Sequence, residues 1–170
     1  MNWYIIYVRG SYEDKLVEYL NDNGFNAFVP RRVKYLRKQG IVTKVNQLLF
    51  PNYIFVESEL DNVEFSEKLE LLKKRKTGFV KQLRHDLLGT SALDANEKAM
   101  IERLIGKKKV IESSIGFIEN DKVVVTEGPL MGFESNIVYI NRHKRSATLE
   151  IDMMGEIRSV QVSLEIVSKI

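Results

Sequence analysis

The chain has no cysteine, which excludes disulfides, thiolate-bound zinc, iron–sulfur clusters and thiol nucleophiles. Histidine is nearly absent as well. His85 and His143 are the two present, and neither falls in a metal-ligand spacing, so no metal and no cofactor is expected. No apolar run approaches the ~18 residues of a membrane span. The opening Met1-Asn2-Trp3-Tyr4 lacks the basic segment and apolar core of a secretory signal, and a cytoplasmic chain with no membrane partner is expected. Enzyme motifs are missing too. Ser113-Ser114 lie in no nucleophile elbow, and Gly128-Pro129-Leu130-Met131-Gly132 lacks the Lys-Ser/Thr ending of a phosphate-cradling loop. With no catalytic residue to name, the chain reads as a binding protein rather than an enzyme.

What is present describes a folded chain. A hydrophobic fraction of 44% with 29% charged residues is that of a globular protein, and 170 residues suffice for one or two domains. The net charge of +3 hides an asymmetry: residues 1–110 hold 20 Lys+Arg against 14 Asp+Glu, residues 111–170 hold 6 against 9. A basic first module joined to a mildly acidic second is implied, with a polyanion as the natural partner of the first.

The aromatic and β-branched run Trp3–Val8 predicts a strand buried on both faces. Gly10 breaks it, Ser11 is the expected N-cap of a helix carrying Leu16, Val17 and Leu20 on one face, and Gly24 ends that helix. Phe25–Pro30 reads as extended. A basic hairpin follows around Gly40, then a strong strand over 49–56. Asp61 and Glu64 form a capping box before Phe65, Leu69 and Leu72, and Phe79-Val80 is apolar and extended. Asp94 and Glu97 form another box, ahead of a buried stripe of Met100, Ile101, Leu104 and Ile105 stopped by Gly106. This order predicts an α+β domain over 1–106, helices flanking an antiparallel sheet. A linker is expected at 107–116. Short strands at 122–126, 136–140, 147–151, 157–162 and 165–168 then predict a small all-β five-stranded barrel over 117–170.

Two segments carry binding chemistry. Residues 31–44 hold Arg31, Arg32, Lys34, Arg37, Lys38 and Lys44 with no acid, which points to phosphate contact. Lys73, Lys74, Arg75, Lys76, Lys81 and Arg84 form a second cationic group, and Arg142, Lys144 and Arg145 a lesser one in a turn. In Leu49-Phe50-Pro51-Asn52-Tyr53-Ile54-Phe55-Val56, alternation puts Tyr53 and Phe55 on one face and Ile54 and Val56 on the other. One face is core; two large aromatics on the other need cover from the protein or from a partner.

Trp3-Tyr4, the segment 49–56 and Thr77-Gly78-Phe79-Val80 together resemble the N-terminal domain of the NusG family of transcription elongation factors. Asn120-Asp121-Lys122-Val123-Val124-Val125-Thr126-Glu127-Gly128-Pro129-Leu130-Met131-Gly132-Phe133-Glu134 resembles that family's KOW module. The resemblance implies a two-domain factor that rides on RNA polymerase, its first (NGN-like) domain laying a hydrophobic depression on the polymerase clamp. The matching positions are Tyr7, Phe50, Tyr53, Phe55 and Phe79. Such a factor favours the active clamp conformation by binding it more tightly. The second domain is implied to recruit other proteins, and the chain to act as a monomer.

Within the family the chain is most similar to the specialised LoaP branch, with RfaH-like features. Asn52 stands where the general factor has Gly, and Ser135-Asn136 replaces the second Gly of the KOW turn. That branch implies antitermination and an RNA hairpin as ligand, with upstream DNA as a further candidate. A general elongation and pausing factor is the alternative, and a ribosome-associated KOW protein a third reading. The β-branched runs Val123–Val125, Ile137-Val138 and Val160–Val162 favour a permanent barrel over a refolding one.

Overall fold

A computed structural model describes residues 1–85 and 89–170. The described elements divide into two compact units, one from Met1–Val29, Phe50–Ala99 and Met153–Glu156, the other from Pro30–Leu49, Met100–Asp152 and Ile157–Ile170. Helices lie in the earlier part of the chain; beyond residue 110 the described elements are strands and one short 3-10 turn.

The first unit is organised by β1 (Asn2–Val8). It lies between β5 (Tyr53–Ser58) and β6 (Phe79–Gln82), with β2 (Asn26–Phe28) outside β5. Every neighbouring pair in this sheet is antiparallel. Tyr4 pairs with Val56 and Ile6 with Ile54; these four side chains, with Val8, form one core with Leu16 and Leu20 of α1 (Glu13–Asp22) and Phe65, Leu69 and Leu72 of α2 (Asn62–Lys73). The alternation expected over 53–56 is therefore present. So is the Asp61/Glu64 capping box: the Asp61 carboxylate accepts from the amides of Val63 and Glu64, and Glu64 accepts from the Asp61 amide.

At α1 the structure corrects the expected cap. Ser11 has φ +70° and the N-cap is Tyr12, which makes no side-chain bond to the helix. A residue in the left-handed region cannot take the extended N-cap conformation. The helix instead begins with Glu13, buried for a reason taken up below.

In the second unit, β3 (Arg31–Lys38) and β4 (Ile41–Leu48) form the expected hairpin. Its two-residue turn, Gln39-Gly40, has positive φ at both positions, the geometry that matches strand twist and that glycine takes without strain. Residues 107–116, read as a linker from sequence, hold β7 (Val110–Ile111), parallel to β3, and the start of β8 (Ser114–Glu119). A five-stranded sheet follows in the order β10 (Ile137–Asn141), β11 (Ser146–Met153), β12 (Glu156–Lys169), β8, β9 (Lys122–Glu127). Two expected strands, 157–162 and 165–168, are thus one long strand, and β8 supplies the fifth. The strand β12 pairs in parallel with β8 through Leu164↔Ser114 and Ile166↔Gly116. Leu130, Leu149, Val162 and Leu164 are fully buried. Lastly, α3 (Ala95–Ile105) buries Ile101, Leu104 and Ile105 of its expected stripe, while Met100 is half-buried.

Candidate nucleic-acid interface and aromatic face

The odd-numbered side chains of β1 lie on the sheet face away from α1 and α2. Tyr7 is paired in register with Tyr53, and their rings tilt together with centroids 5.3 Å apart. Both are half-buried. Beside them Phe55 is fully buried, ringed by Trp3, Phe28 and Phe50 at centroid distances of 6.1, 5.6 and 5.5 Å. Phe50 is buried as well. The cover that sequence left open between protein and partner is thus supplied to Phe55 by the protein's own rings. Edge and tilted ring pairs of this kind contribute ~0.5–1.5 kcal/mol each beyond area burial.

Phe79 does not join this group. It is in register with Val8 and tilts against Tyr19 of α1 at 6.2 Å, on the helix-covered face. A register shift between Tyr7 and Val8 accompanies this placement. The expected five-residue set therefore divides: Tyr7 and Tyr53 present half-exposed rings, Phe50 and Phe55 underlie them, and Phe79 belongs to the other core.

The turn before Tyr53 explains the departure at position 52. Asn52 has φ +75°, a region that glycine enters freely and that asparagine tolerates better than other residues. Its side chain is also used. Asn52 Nδ2 donates to Val8 O at 3.1 Å, while the backbone N–H of Val8 donates to Asn52 O at 2.8 Å. The Asn52 amide donates to Glu13 Oε1 at 2.9 Å, which is why a carboxylate is buried at the start of α1. Sequence reading missed Glu13, since an acid in a first helical turn is usually a solvated partner of the dipole.

The cationic residues are distributed less evenly than their sequence runs suggest. Arg32, Lys34 and Arg37 of β3 share a cavity of about 890 Å³ with Arg142, Lys144 and Arg145 from the turn between β10 and β11. His143, Tyr35, Gln161 and Ser163 also line it, and among the described residues no carboxylate does. The Ser163 hydroxyl donates to Val33 O at 2.8 Å, bonding β12 to the hairpin, and the Lys144 amide donates to Asn141 Oδ1 at 2.8 Å, shaping the turn. Arg32 Nη2 donates to Gln47 Oε1 at 3.0 Å, and burial draws its guanidinium below the ordinary value. Six permanent cations facing one groove repel one another, a cost that an incoming polyanion offsets.

Other expected contacts lie elsewhere. Lys44 faces Glu112 at 3.5 Å. Arg31 and Lys38 do not line the groove. Lys73 pairs with Glu70 at 2.9 Å, and Lys76 stands 5.6 Å over the Tyr19 ring; Lys74, Arg75, Lys81 and Arg84 are exposed. The grouping of 142–145 with β3 was not visible in sequence. Tyr35, next to Lys34 and two residues before Arg37, carried the available signal of an aromatic among cations.

Comparison with known proteins agrees with the fold. A family model described as transcription termination factor NusG matches residues 1–89. The chain is 25% identical over 182 residues to the transcription termination/antitermination protein NusG of Thermus thermophilus, covering 99% of the chain and 98% of that protein. It is 26% identical over 178 residues to the protein of the same name from Halalkalibacterium halodurans, with 99% and 98% covered. Among solved structures it is similar to one described as showing domain interaction in Thermotoga maritima NusG, with a TM-score of 0.53, 23% identity, and 97% and 93% of the two chains covered.

The geometry at position 52 sets an order of stabilities. Asn52→Ala is expected to be less stable than Asn52→Gly by ~1 kcal/mol, since alanine keeps the left-handed strain and neither variant keeps the bond to Val8. Urea unfolding midpoints measure this; equal midpoints contradict the strained turn.

Proposed function

The chain belongs to the NusG family of transcription termination and antitermination factors, and from that premise we propose that it is a specialised member recruited through structured RNA. The observation that carries this reading is the groove shared by β3 and the 142–145 turn, lined by six cations and by no carboxylate among the described residues. It is wider in its chemistry than a solvated hairpin requires: Lys34 and Arg37 on one wall, Arg142 and Arg145 on the other, and Tyr35 able to stack on an unpaired base. RNA hairpins are bound mostly through shape and backbone, with sequence preference coming from loop bases. Antitermination then follows from delivering the factor to polymerase at transcripts carrying the hairpin.

RNA polymerase is the proposed second partner, met at its clamp by the half-exposed rings of Tyr7 and Tyr53 over Phe50 and Phe55. Residues 117–170 are proposed as a KOW-type module whose five strands close into a barrel and receive further factors. Lys73, Lys74, Arg75, Lys76, Lys81 and Arg84 are proposed to meet upstream DNA or RNA in the transcribing complex. The half-exposed aromatic pair favours this reading over a ribosome-associated one.

Tyr53→Ala is expected to weaken polymerase binding by ~2 kcal/mol with an unchanged circular dichroism spectrum; wild-type affinity in the folded variant removes Tyr53 as an anchor. For RNA, a leader-type hairpin, its unfolded mutant and duplex DNA are compared at one salt concentration. Binding of the hairpin more than tenfold tighter than both controls is expected, with Lys34→Ala shallowing the log–log salt slope by about one unit. Equal binding of all three nucleic acids contradicts the specialised role and leaves a general elongation factor.

A further inference from the structure

His85 lies just beyond β6, and its backbone is held by the Gly89 amide, which donates to His85 O at 2.8 Å, and by its own N–H donating to Thr90 O at 2.7 Å. One imidazole nitrogen of His85 and one carboxylate oxygen each of Asp94 and Glu97 lie within 4.8 Å of one another. Glu97 is only 7% exposed. Its Oε2 and the Nδ1 of His85 are buried with no hydrogen-bond partner among the described residues. Uncompensated buried acceptors of this kind are costly and infrequent, and each calls for a cause.

The helix cap shows the same anomaly. Asp94 Oδ1 accepts from the Glu97 amide at 2.8 Å, which is half of the capping box that sequence implied. The other half is not made, because Glu97 turns its carboxylate to the Gly155 amide (3.1 Å) and towards His85. A Cβ at Gly155 would stand 2.9 Å from His85 Nε2, so the imidazole sits directly against that turn. A cap group has been given up, and the three side chains face one another across a gap too wide for direct hydrogen bonds at the unpartnered atoms.

We propose that His85, Asp94 and Glu97 form a site for a divalent transition-metal cation. Two carboxylates and a neutral imidazole carry the −2 charge that a dication balances, and this mixed N/O donor set suits Zn2+. Bonds of about 2.0–2.2 Å place donor atoms ~3.4 Å apart in a tetrahedron, which atoms already within 4.8 Å of one another reach by small side-chain rotations. Three protein ligands leave the fourth position to water. The second Glu97 oxygen, held by the Gly155 amide, orients the ligand as outer-shell bonds do in metal centres. Sequence spacing concealed the set, since His85 comes from a strand's end and the carboxylates from a helix start.

The test is calorimetric titration of ZnCl2 into the full chain after chelator treatment, with Co2+ absorption as a second readout. Saturable binding is expected, with a melting temperature raised by about 5–10 °C at a hundredfold excess over Kd. His85→Ala and Glu97→Gln should each weaken binding at least tenfold. Asp94→Asn keeps a cap oxygen while removing a charge, so it should weaken the metal and leave the apo fold intact. His143→Gln should bind as wild type does. Absence of saturable Zn2+ binding, undiminished affinity in the folded Asp94→Asn and Glu97→Gln chains, or an equal loss in His143→Gln overturns the proposal.

Discussion

A strand that is apolar on both faces has no stable place at a surface, and β1 is such a strand. Trp3, Tyr4, Ile5, Ile6 and Val8 are all essentially buried, at a gain of ~1.5–3 kcal/mol for each large side chain removed from water. Burial on both sides forces two different layers onto one sheet. On one side α1 and α2 supply Leu16, Leu20, Phe65 and Leu69. On the other, the rings of Trp3, Phe28 and Phe55 pack together, with Lys98 of α3 over Trp3, and Tyr7 and Tyr53 remain half-exposed. The proposed docking face is therefore a consequence of how the sheet is covered. The Asn52 turn, tied to Val8 and Glu13, fixes where the aromatic strand begins.

The cationic groove obeys a different constraint. Like charges gathered without acids reduce stability, and a chain has many ways to disperse them. Here Lys44 is met by Glu112 and Lys73 by Glu70, while the six cations of the groove share a lining that, among the described residues, contains no carboxylate. Arg32 is even partly withdrawn from water. Such an arrangement fits a polyanion that neutralises several charges at once, and its salt dependence follows from counterion release.

Local signals carried most of the first unit and the hairpin of the second. Alternation over 53–56, the Asp61/Glu64 box and the basic hairpin around Gly40 each depend on neighbours a few residues away, and each appears in the structure. What sequence reading missed depends on distant partners. Ser11 has the residue type of a cap, but its left-handed backbone excludes that role, and Phe79, grouped with the aromatic face by resemblance alone, lies on the helix-covered face beside a register shift between Tyr7 and Val8. The strand at Val110–Ile111 is two residues long and exists only through pairing with β3. The meeting of Arg142–Arg145 with β3 likewise rests on contacts more than a hundred positions apart, such as Ser163 with Val33. Tertiary pairing, not propensity, decides such features.

Hairpin RNA is proposed to occupy the groove between β3 and the 142–145 turn. Ultraviolet cross-linking of the full chain to a hairpin RNA, followed by mass spectrometry of the adducts, tests it most directly. Adducts are expected at Tyr35 together with adducts in the peptide containing residues 142–146. Adducts confined to the Lys73–Lys76 region, with both walls of the groove unmodified, would contradict it.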